Sequence, residues 1–105
     1  MTDTMTPRPP SMLGATIDEL WGIIQGRRDA SPDESYTVRL LTGDEDQLLK
    51  KVGEEATEVV MAAKDHDCDH LRYEVVDLLY HTLVVCARAG LEADEIAAEI
   101  RGRFK

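Results

Sequence analysis

Two long segments with helical periodicity constrain the fold of this 105-residue chain more than any other feature. Within each segment, apolar side chains recur three, four or seven residues apart, which places them on one side of a helix. The first segment is predicted to run from Glu45 to Lys64, and the second from His70 to Ala89, with Gly90 ending it. No segment shows the alternation of a half-buried strand, so the predicted fold class is all-α.

Each long helix has a predicted apolar line, which we expect it to bury. In the first helix, which Asp44 is predicted to cap, successive residues placed about 100° apart bring five apolar side chains close to one line. These are Leu48, Val52, Ala56, Val59 and Ala63. The line of the second helix consists of Leu71, Val75, Leu79 and Cys86.

Capping signals predict two shorter helices ahead of these. A capping box of Thr16 and Glu19 is predicted to begin the first, which ends near Gly26. The second is predicted to begin at Pro32, with Ser31 as its N-cap, Pro32 at the first helical position and Glu34 as the capping-box glutamate. Gly43 is expected to end it in the left-handed conformation.

The two ends of the chain complete the predicted organisation. Residues 1–15 contain three prolines and little apolar content, so we expect a flexible tail. A last helix is predicted from Ala93 to Arg103, burying Ile96, Ile100 and Phe104. Residues 16–105 are thus expected to form a single all-α domain, a bundle of four to five helices.

Charge and composition exclude several function classes. Lys and Arg number 12 against 21 Asp and Glu, and this net charge of −9 disfavours nucleic acids and anionic membranes as partners. No apolar run approaches the roughly 20 residues that span a bilayer, and the first thirteen residues lack the apolar core of a secretory signal. We therefore expect a cytoplasmic protein with reduced cysteines.

Acidic residues flank both apolar lines. Glu55 and Glu58 lie to one side of the line of the first long helix, and Glu74 and Asp77 lie to one side of the line of the second. Because the short polar loop predicts antiparallel packing, these four carboxylates are expected to converge. Such a cluster suits Mg²⁺, although a run of acidic residues is more often a solvated face, and spacing alone leaves both interpretations open.

The flanking sequence carries a resemblance to a known family. Glu55 and Glu58 belong to an ExxE motif, and Glu74 and Asp77 form an ExxD motif. This pair resembles the metal-binding signature of the all-α, MazG-like nucleotide pyrophosphohydrolases. The words SYT, RLL, KKVGEEA and DLLYH, in this order, are similar to those of the phosphoribosyl-ATP pyrophosphohydrolase family, and the likeness extends from about Leu20 to Arg103.

The resemblance implies an activity and a cofactor. It implies Mg²⁺-dependent cleavage of phosphoribosyl-ATP into phosphoribosyl-AMP and pyrophosphate, the second step of histidine biosynthesis. It also implies that the ion is held by Glu55, Glu58, Glu74 and Asp77, polarises phosphoryl oxygens and lowers the pKa of a water molecule. Glu54 is the candidate general base.

Further residues are candidates for binding the substrate. Basic side chains near the predicted metal site suit phosphate groups. The phosphate-binding candidates are Lys50, Lys51, Arg27, Arg28 and Arg39. Ser35 and Tyr36 are candidate hydrogen-bonding partners, and His81 either contacts substrate or is satisfied by a neighbouring carboxylate.

One cluster in the loop is not predicted to bind metal. His66, Cys68 and His70 lie within five residues of one another, but they lack the paired ligand spacing of a structural zinc site. An ordinary N-cap aspartate, Asp67 or Asp69, explains the acidic residues between them.

A homo-oligomer and two competing functions complete the predictions. The thin Leu, Val and Ala core is expected to be completed by homodimerisation, as in the MazG-like superfamily. One alternative function is a house-cleaning pyrophosphohydrolase for dCTP or dUTP, and the other is a non-catalytic acidic helical module that binds a partner. At 105 residues the chain is expected to carry no fused cyclohydrolase domain, so a separate phosphoribosyl-AMP cyclohydrolase is expected to take the product.

Overall fold

Five α-helices form the fold. A computed structural model describes residues 7–31, 33 and 35–104. The helices are α1 (Leu13–Gly26), α2 (Tyr36–Thr42), α3 (Glu45–Lys64), α4 (Cys68–Arg88) and α5 (Ala93–Arg101). None of the described residues lies in a strand, which confirms the all-α prediction. Within the same ranges, no helix combines the length and apolar character that a bilayer crossing requires.

The two long helices begin at aspartate caps. The Asp44 side chain accepts a hydrogen bond from the Asp46 backbone N–H at 3.0 Å, which confirms the predicted start of α3. Asp67 accepts from the His70 N–H at 3.1 Å, so α4 begins two residues before the predicted position. Gly90 follows α4 with a φ of 86°, the left-handed conformation that glycine adopts without strain.

α1 begins earlier than predicted. The Thr16 hydroxyl donates a hydrogen bond to the Met12 carbonyl at 2.7 Å from inside the helix, so the predicted Thr16 capping box is wrong. No proline stands between Met12 and Thr16, and the helix therefore extends back to Leu13 despite Gly14 in its first turn. Three residues that we expected in the tail are thus helical.

The start and the end of α2 also differ from the prediction. Of the predicted capping signals, Pro32 and Glu34 lie outside the described residues, and Ser35 rather than Ser31 is the N-cap of α2. Gly43 has extended rather than left-handed backbone angles, with φ −87° and ψ −151°. A Cβ atom there would lie 2.6 Å from the Arg39 carbonyl oxygen, so a close approach, not a positive φ, requires the glycine.

The apolar core gathers at one end of the α3–α4 hairpin. It joins α1, α2, the start of α3 and the second half of α4. Its buried members are Trp21, Ile24, Leu40, Leu41, Leu48, Leu83, Val84 and Ala87. α5 contributes no buried residue, and the predicted burial of Ile100 and Phe104 is wrong, because both are exposed.

The long helices are rotated relative to the predicted apolar lines. On α3, Glu55 and Ala62 are buried whereas Ala56 and Ala63 are exposed, which corresponds to a rotation of about 50°. On α4, Glu74 is buried and Val75 is exposed. The hairpin therefore encloses some of the acidic residues that flank the apolar line of each helix, and it leaves part of each apolar line uncovered.

Candidate active site

The α3–α4 hairpin brings the predicted carboxylates of the two helices together. Residues 65–67 are the whole connection between the helices, and α3 packs against α4 more extensively than against any other element. One carboxylate oxygen each from Glu55, Glu74 and Asp77 lies within 4.8 Å of the others. We call these three residues the oxygen group. The predicted convergence of the two stripes is confirmed for these three of the four carboxylates.

Burial and mutual repulsion perturb the oxygen group. Glu55 and Glu74 are only 9% and 8% exposed. The pKa of Glu55 is raised to about 7. Burial is the largest cause, followed by a hydrogen bond with Glu74 and by the negative charges of Asp77 and Glu74. The positive charge of Lys51 opposes the increase, which places Lys51 close enough to act on the group.

The fourth predicted carboxylate belongs to a second cluster. Glu58, His70 and Glu74 each offer one donor atom, and these atoms also lie within 4.8 Å of one another. We call these residues the mixed group. His70 Nε2 lies 3.4 Å from Glu74 Oε1, one helical turn along α4. Glu74 is therefore common to both groups.

The two groups fit a divalent cation. Among the described residues, Glu74 Oε2 is the one fully buried side-chain oxygen or nitrogen atom without a hydrogen-bond partner. An unpaired buried carboxylate oxygen costs free energy that a cation recovers. Hard divalent ions such as Mg²⁺ prefer carboxylate oxygens, which the oxygen group supplies from two facing helices.

Beyond Asp77, an aromatic cluster joins α2 to α4. The His81 Nδ1–H donates to the Asp77 carbonyl at 2.9 Å, so Nε2 is free to accept from the Tyr36 hydroxyl at 3.3 Å. The Thr37 and Tyr80 hydroxyls lie 2.5 Å apart. Burial raises the pKa of Tyr80, although the Thr37 hydrogen bond opposes the increase. His81 thus meets a backbone carbonyl and a tyrosine rather than a carboxylate side chain.

The predicted phosphate-binding residues are spread over the molecule. Lys51 acts on the oxygen group, and the Arg39 guanidinium lies 5.6 Å from the centre of the Tyr36 ring. Arg28 instead donates to the Ala87 carbonyl near the end of α4 and to Gln25 Oε1. Because ten residues separate Ala87 from Asp77, this contact lies about 15 Å along α4 from the oxygen group.

The other predicted site residues have simpler surroundings. The Ser35 hydroxyl caps α2 by accepting from the Val38 N–H at 3.4 Å. Arg27 is exposed at the end of α1. Lys50 and Glu54 are exposed on α3, and Glu54 belongs to neither the oxygen group nor the mixed group.

Two contacts at the site were missed from the sequence. The Thr37–Tyr80 hydrogen bond joins residues 43 positions apart, and no local pattern announces such a contact. His70 had a local signal, since it lies four residues before Glu74 on the same helical face.

Comparisons with known proteins show the family of the chain. The family model for phosphoribosyl-ATP pyrophosphohydrolase matches residues 17–104. A phosphoribosyl-ATP pyrophosphatase of Trichlorobacter lovleyi is 51% identical over 88 residues, covering 84% of this chain and 82% of that protein. One from Haloquadratum walsbyi is 39% identical over 106 residues, covering 99% and 100%. The resemblance found in the sequence is confirmed, and the chain belongs to the phosphoribosyl-ATP pyrophosphohydrolase family.

Proposed function

We propose that this protein hydrolyses phosphoribosyl-ATP to phosphoribosyl-AMP and pyrophosphate with Mg²⁺, the second step of histidine biosynthesis. One observation carries the proposal. In this member of the family, one oxygen from each of three carboxylates lies within 4.8 Å of the others, and two of the three residues are buried. One oxygen of Glu74 has no hydrogen-bond partner. Carboxylates in this state repel one another unless a cation joins them.

The metal ligands are proposed to be Glu55, Glu74 and Asp77, with Glu58 adjoining them through Glu74. Bound Mg²⁺ supplies charge neutralisation on phosphate oxygens and a lower pKa for a water molecule. The residues of the chain provide the geometry, because α3 and α4 fix the carboxylates from two sides and burial keeps bulk water away from Glu55 and Glu74.

Proton transfer and phosphate binding are assigned to residues beside the ligands. Glu54 follows Gly53 on the exposed side of α3 and is not needed as a ligand, so we propose that it accepts the proton of the attacking water. Lys51, whose charge acts on Glu55, is proposed to bind the departing pyrophosphate together with Lys50. We expect Glu54→Gln to lower kcat while leaving Mg²⁺ binding unchanged.

The substrate's other end is proposed to lie along α2. Tyr36 is 44% exposed beside His81, and Arg39 lies over its ring, so an anionic or aromatic group meets a cation and an aromatic surface there. In this proposal Tyr36, His81 and Arg39 contact substrate, whereas Ser35 orders the start of α2. Arg27 and Arg28 lie at the end of α1, where Arg28 joins α1 to α4.

The decisive experiment is pyrophosphate release by the purified protein with Mg²⁺. Phosphoribosyl-ATP, ATP, dCTP and dUTP are compared, and Glu74→Gln is tested beside Glu19→Gln, an exposed carboxylate of α1. Selective turnover of phosphoribosyl-ATP that only Glu74→Gln abolishes supports the proposal. Turnover of dCTP or dUTP instead replaces it with nucleotide-pool cleaning, and no turnover of any substrate favours the interaction module.

A homodimer is proposed to cover the apolar surface that the hairpin leaves open. Leu49, Val60 and Met61 on α3, and Tyr73 and Val76 on α4, are between 46% and 65% exposed. So much exposed apolar surface on one hairpin is typical of an interface. Sedimentation equilibrium of the wild-type protein is expected to give twice the chain mass, and Val60→Glu is expected to give the monomer. A wild-type monomer at micromolar concentration would overturn the proposal.

The proposed pathway sets the protein's location and its neighbour. We propose that the protein is cytoplasmic and that a separate phosphoribosyl-AMP cyclohydrolase consumes its product. Both follow from the proposed activity. Complementation of a host that lacks this step tests them together, since growth without histidine requires product to reach the host's cyclohydrolase.

A further inference from the structure

Two side-chain hydrogen bonds join the start of α2 to α4. The hydroxyl groups of Thr37 and Tyr80 lie 2.5 Å apart, so one of them donates to the other. The Tyr36 hydroxyl donates to His81 Nε2 at 3.3 Å. The bonded residues are 43 and 45 positions apart in the sequence. The position of the first residues of α2 therefore depends on α4.

The rest of α2 is held in a different way. A helix of seven residues is too short to be stable alone, so α2 needs contacts with its neighbours. Leu40 and Leu41 are buried in the apolar core, and Arg88 of α4 donates to the Leu40 carbonyl at 3.0 Å. Burial thus holds the last part of α2, whereas the first residues, where Tyr36 is exposed, rely on the two hydrogen bonds to α4.

Tyr80 lies next to the proposed substrate-binding surface of α2. Its ring is stacked with the Tyr36 ring, with the centroids 6.5 Å apart and the planes 24° apart. Tyr36 and Arg39 are exposed, and the Arg39 guanidinium lies 5.6 Å from the centre of the Tyr36 ring. Tyr80 is half-buried. Tyr80 can therefore act on the exposed pair through α2 without contacting a ligand itself.

The surface formed by Tyr36 and Arg39 lies close to the oxygen group but is separate from it. The His81 Nδ1–H donates to the Asp77 carbonyl at 2.9 Å, so His81 lies one helical turn, about 6 Å, along α4 from Asp77. A substrate whose reacting phosphates meet the oxygen group reaches Tyr36 with a part that does not react. A displaced α2 should therefore weaken substrate binding rather than slow the chemical step.

We propose that Thr37 and Tyr80 are positioning residues, whose hydrogen bond holds the start of α2 where Tyr36 and Arg39 meet the substrate. Neither Thr37 nor Tyr80 contacts the substrate in this arrangement. The inference rests on the proposed function, because it takes from it the binding of substrate along α2. Loss of the hydrogen bond should raise KM and leave kcat and the Mg²⁺ affinity unchanged.

Steady-state kinetics of the full-length protein with phosphoribosyl-ATP and Mg²⁺ test the inference. Tyr80→Phe and Thr37→Val each remove one hydroxyl group and keep the overall shape of the side chain. Each should raise KM about 3- to 10-fold, the range that the net contribution of one hydrogen bond corresponds to. The double variant should have the KM of either single variant, because both changes remove the same bond. Thr37→Ser keeps the hydroxyl group and should keep the wild-type KM.

Thr42→Val is the matched control on the same helix. The Thr42 hydroxyl donates to the Val38 carbonyl at 2.8 Å within α2, so its loss leaves the contact with α4 intact and should leave KM unchanged. A bond that only stabilises the fold would lower the Tm of Tyr80→Phe and leave its KM at the wild-type value, and this result overturns the inference. A double variant whose increase in KM is the product of the two single increases also overturns it.

The failures of the two proposals can be told apart. Turnover of phosphoribosyl-ATP with the same KM in wild type and Tyr80→Phe supports the proposed function and refutes the positioning role. Turnover of dCTP or dUTP instead, with a KM that Tyr80→Phe raises and Thr37→Ser does not, refutes the proposed function and supports the positioning role. No turnover of any of these substrates refutes both.

Discussion

Glu55→Gln is expected to make the metal-free protein more stable at neutral pH. Glu55 is buried beside Glu74 and Asp77, and this environment raises its pKa from 4.5 to about 7. Ionising Glu55 therefore costs more free energy in the folded protein than in the unfolded chain. Glutamine keeps the size of the side chain, removes the charge and can donate a hydrogen bond to the Glu74 carboxylate.

The size of the effect follows from the pKa. At roughly 1.4 kcal/mol per tenfold change, the increase from 4.5 to about 7 corresponds to roughly 3 kcal/mol above pH 7. Solvent reaches the group beside the half-buried Asp77 and screens part of this cost. We therefore expect Glu55→Gln to stabilise the metal-free protein by about 1 to 2 kcal/mol, which raises Tm by roughly 4 to 16 °C for a domain of this size.

The pH dependence has a definite sign. Because the folded-state pKa of Glu55 is the higher one, the folded protein binds more protons between pH 4.5 and 7, and its stability falls as the pH rises through this range. The difference between wild type and Glu55→Gln should be greatest above pH 7 and vanish below pH 4.5. Urea unfolding in excess EDTA at a series of pH values measures it.

Added Mg²⁺ should reverse the order of stability. At a Mg²⁺ concentration 100-fold above its Kd, the wild-type protein gains about 2.7 kcal/mol, whereas Glu55→Gln should gain much less. Glu19→Gln, an exposed substitution on α1, should behave as wild type throughout. A metal-free Glu55→Gln protein that is less stable than wild type at pH 7.5 would refute this account of the oxygen group.

Three further predictions concern the fold. Leu48→Ala should lower the free energy of unfolding by about 2 to 5 kcal/mol in urea, because Leu48 is 1% exposed, while Leu13→Ala at 64% exposure should change it by less than about 1 kcal/mol. Gly90→Ala should destabilise the protein by about 1 kcal/mol, because Gly90 has a φ of 86°. Gly22→Ala inside α1 should stabilise it by about 0.5 to 1 kcal/mol, because the added Cβ meets open space. Thermal unfolding measures both changes. Arg28→Gln should lower the free energy of unfolding by about 1 to 2 kcal/mol, because the hydrogen bond to the Ala87 carbonyl is lost. The Mg²⁺ affinity, measured by calorimetry, should be unchanged. A weaker affinity would contradict the position of Arg28 far from the oxygen group.

The Asp44 cap and the helical periodicity of α3 were the sequence features that predicted the structure most reliably. Asp44 and the bounds of α3 were predicted correctly, because an N-cap is a local hydrogen bond between residues two or three positions apart. The Thr16 capping box failed for the same local reason, since a threonine hydroxyl inside a helix bonds equally well to the carbonyl four residues before it.

The sequence by itself determined the helices and the acidic residues that flank each apolar line, because these depend on residues a few positions apart, and it determined the family through the ordered set of motifs along the chain. Only the tertiary structure decided which face of each helix is buried. Hydrophobicity favours burying Ala56 and Val75, yet the hairpin encloses Glu55 and Glu74. Only the tertiary structure also showed how the possible metal ligands are grouped, since Glu58 lies with His70 and not with Asp77. The rotation of two packed helices is set by all their contacts together, and no local pattern specifies it.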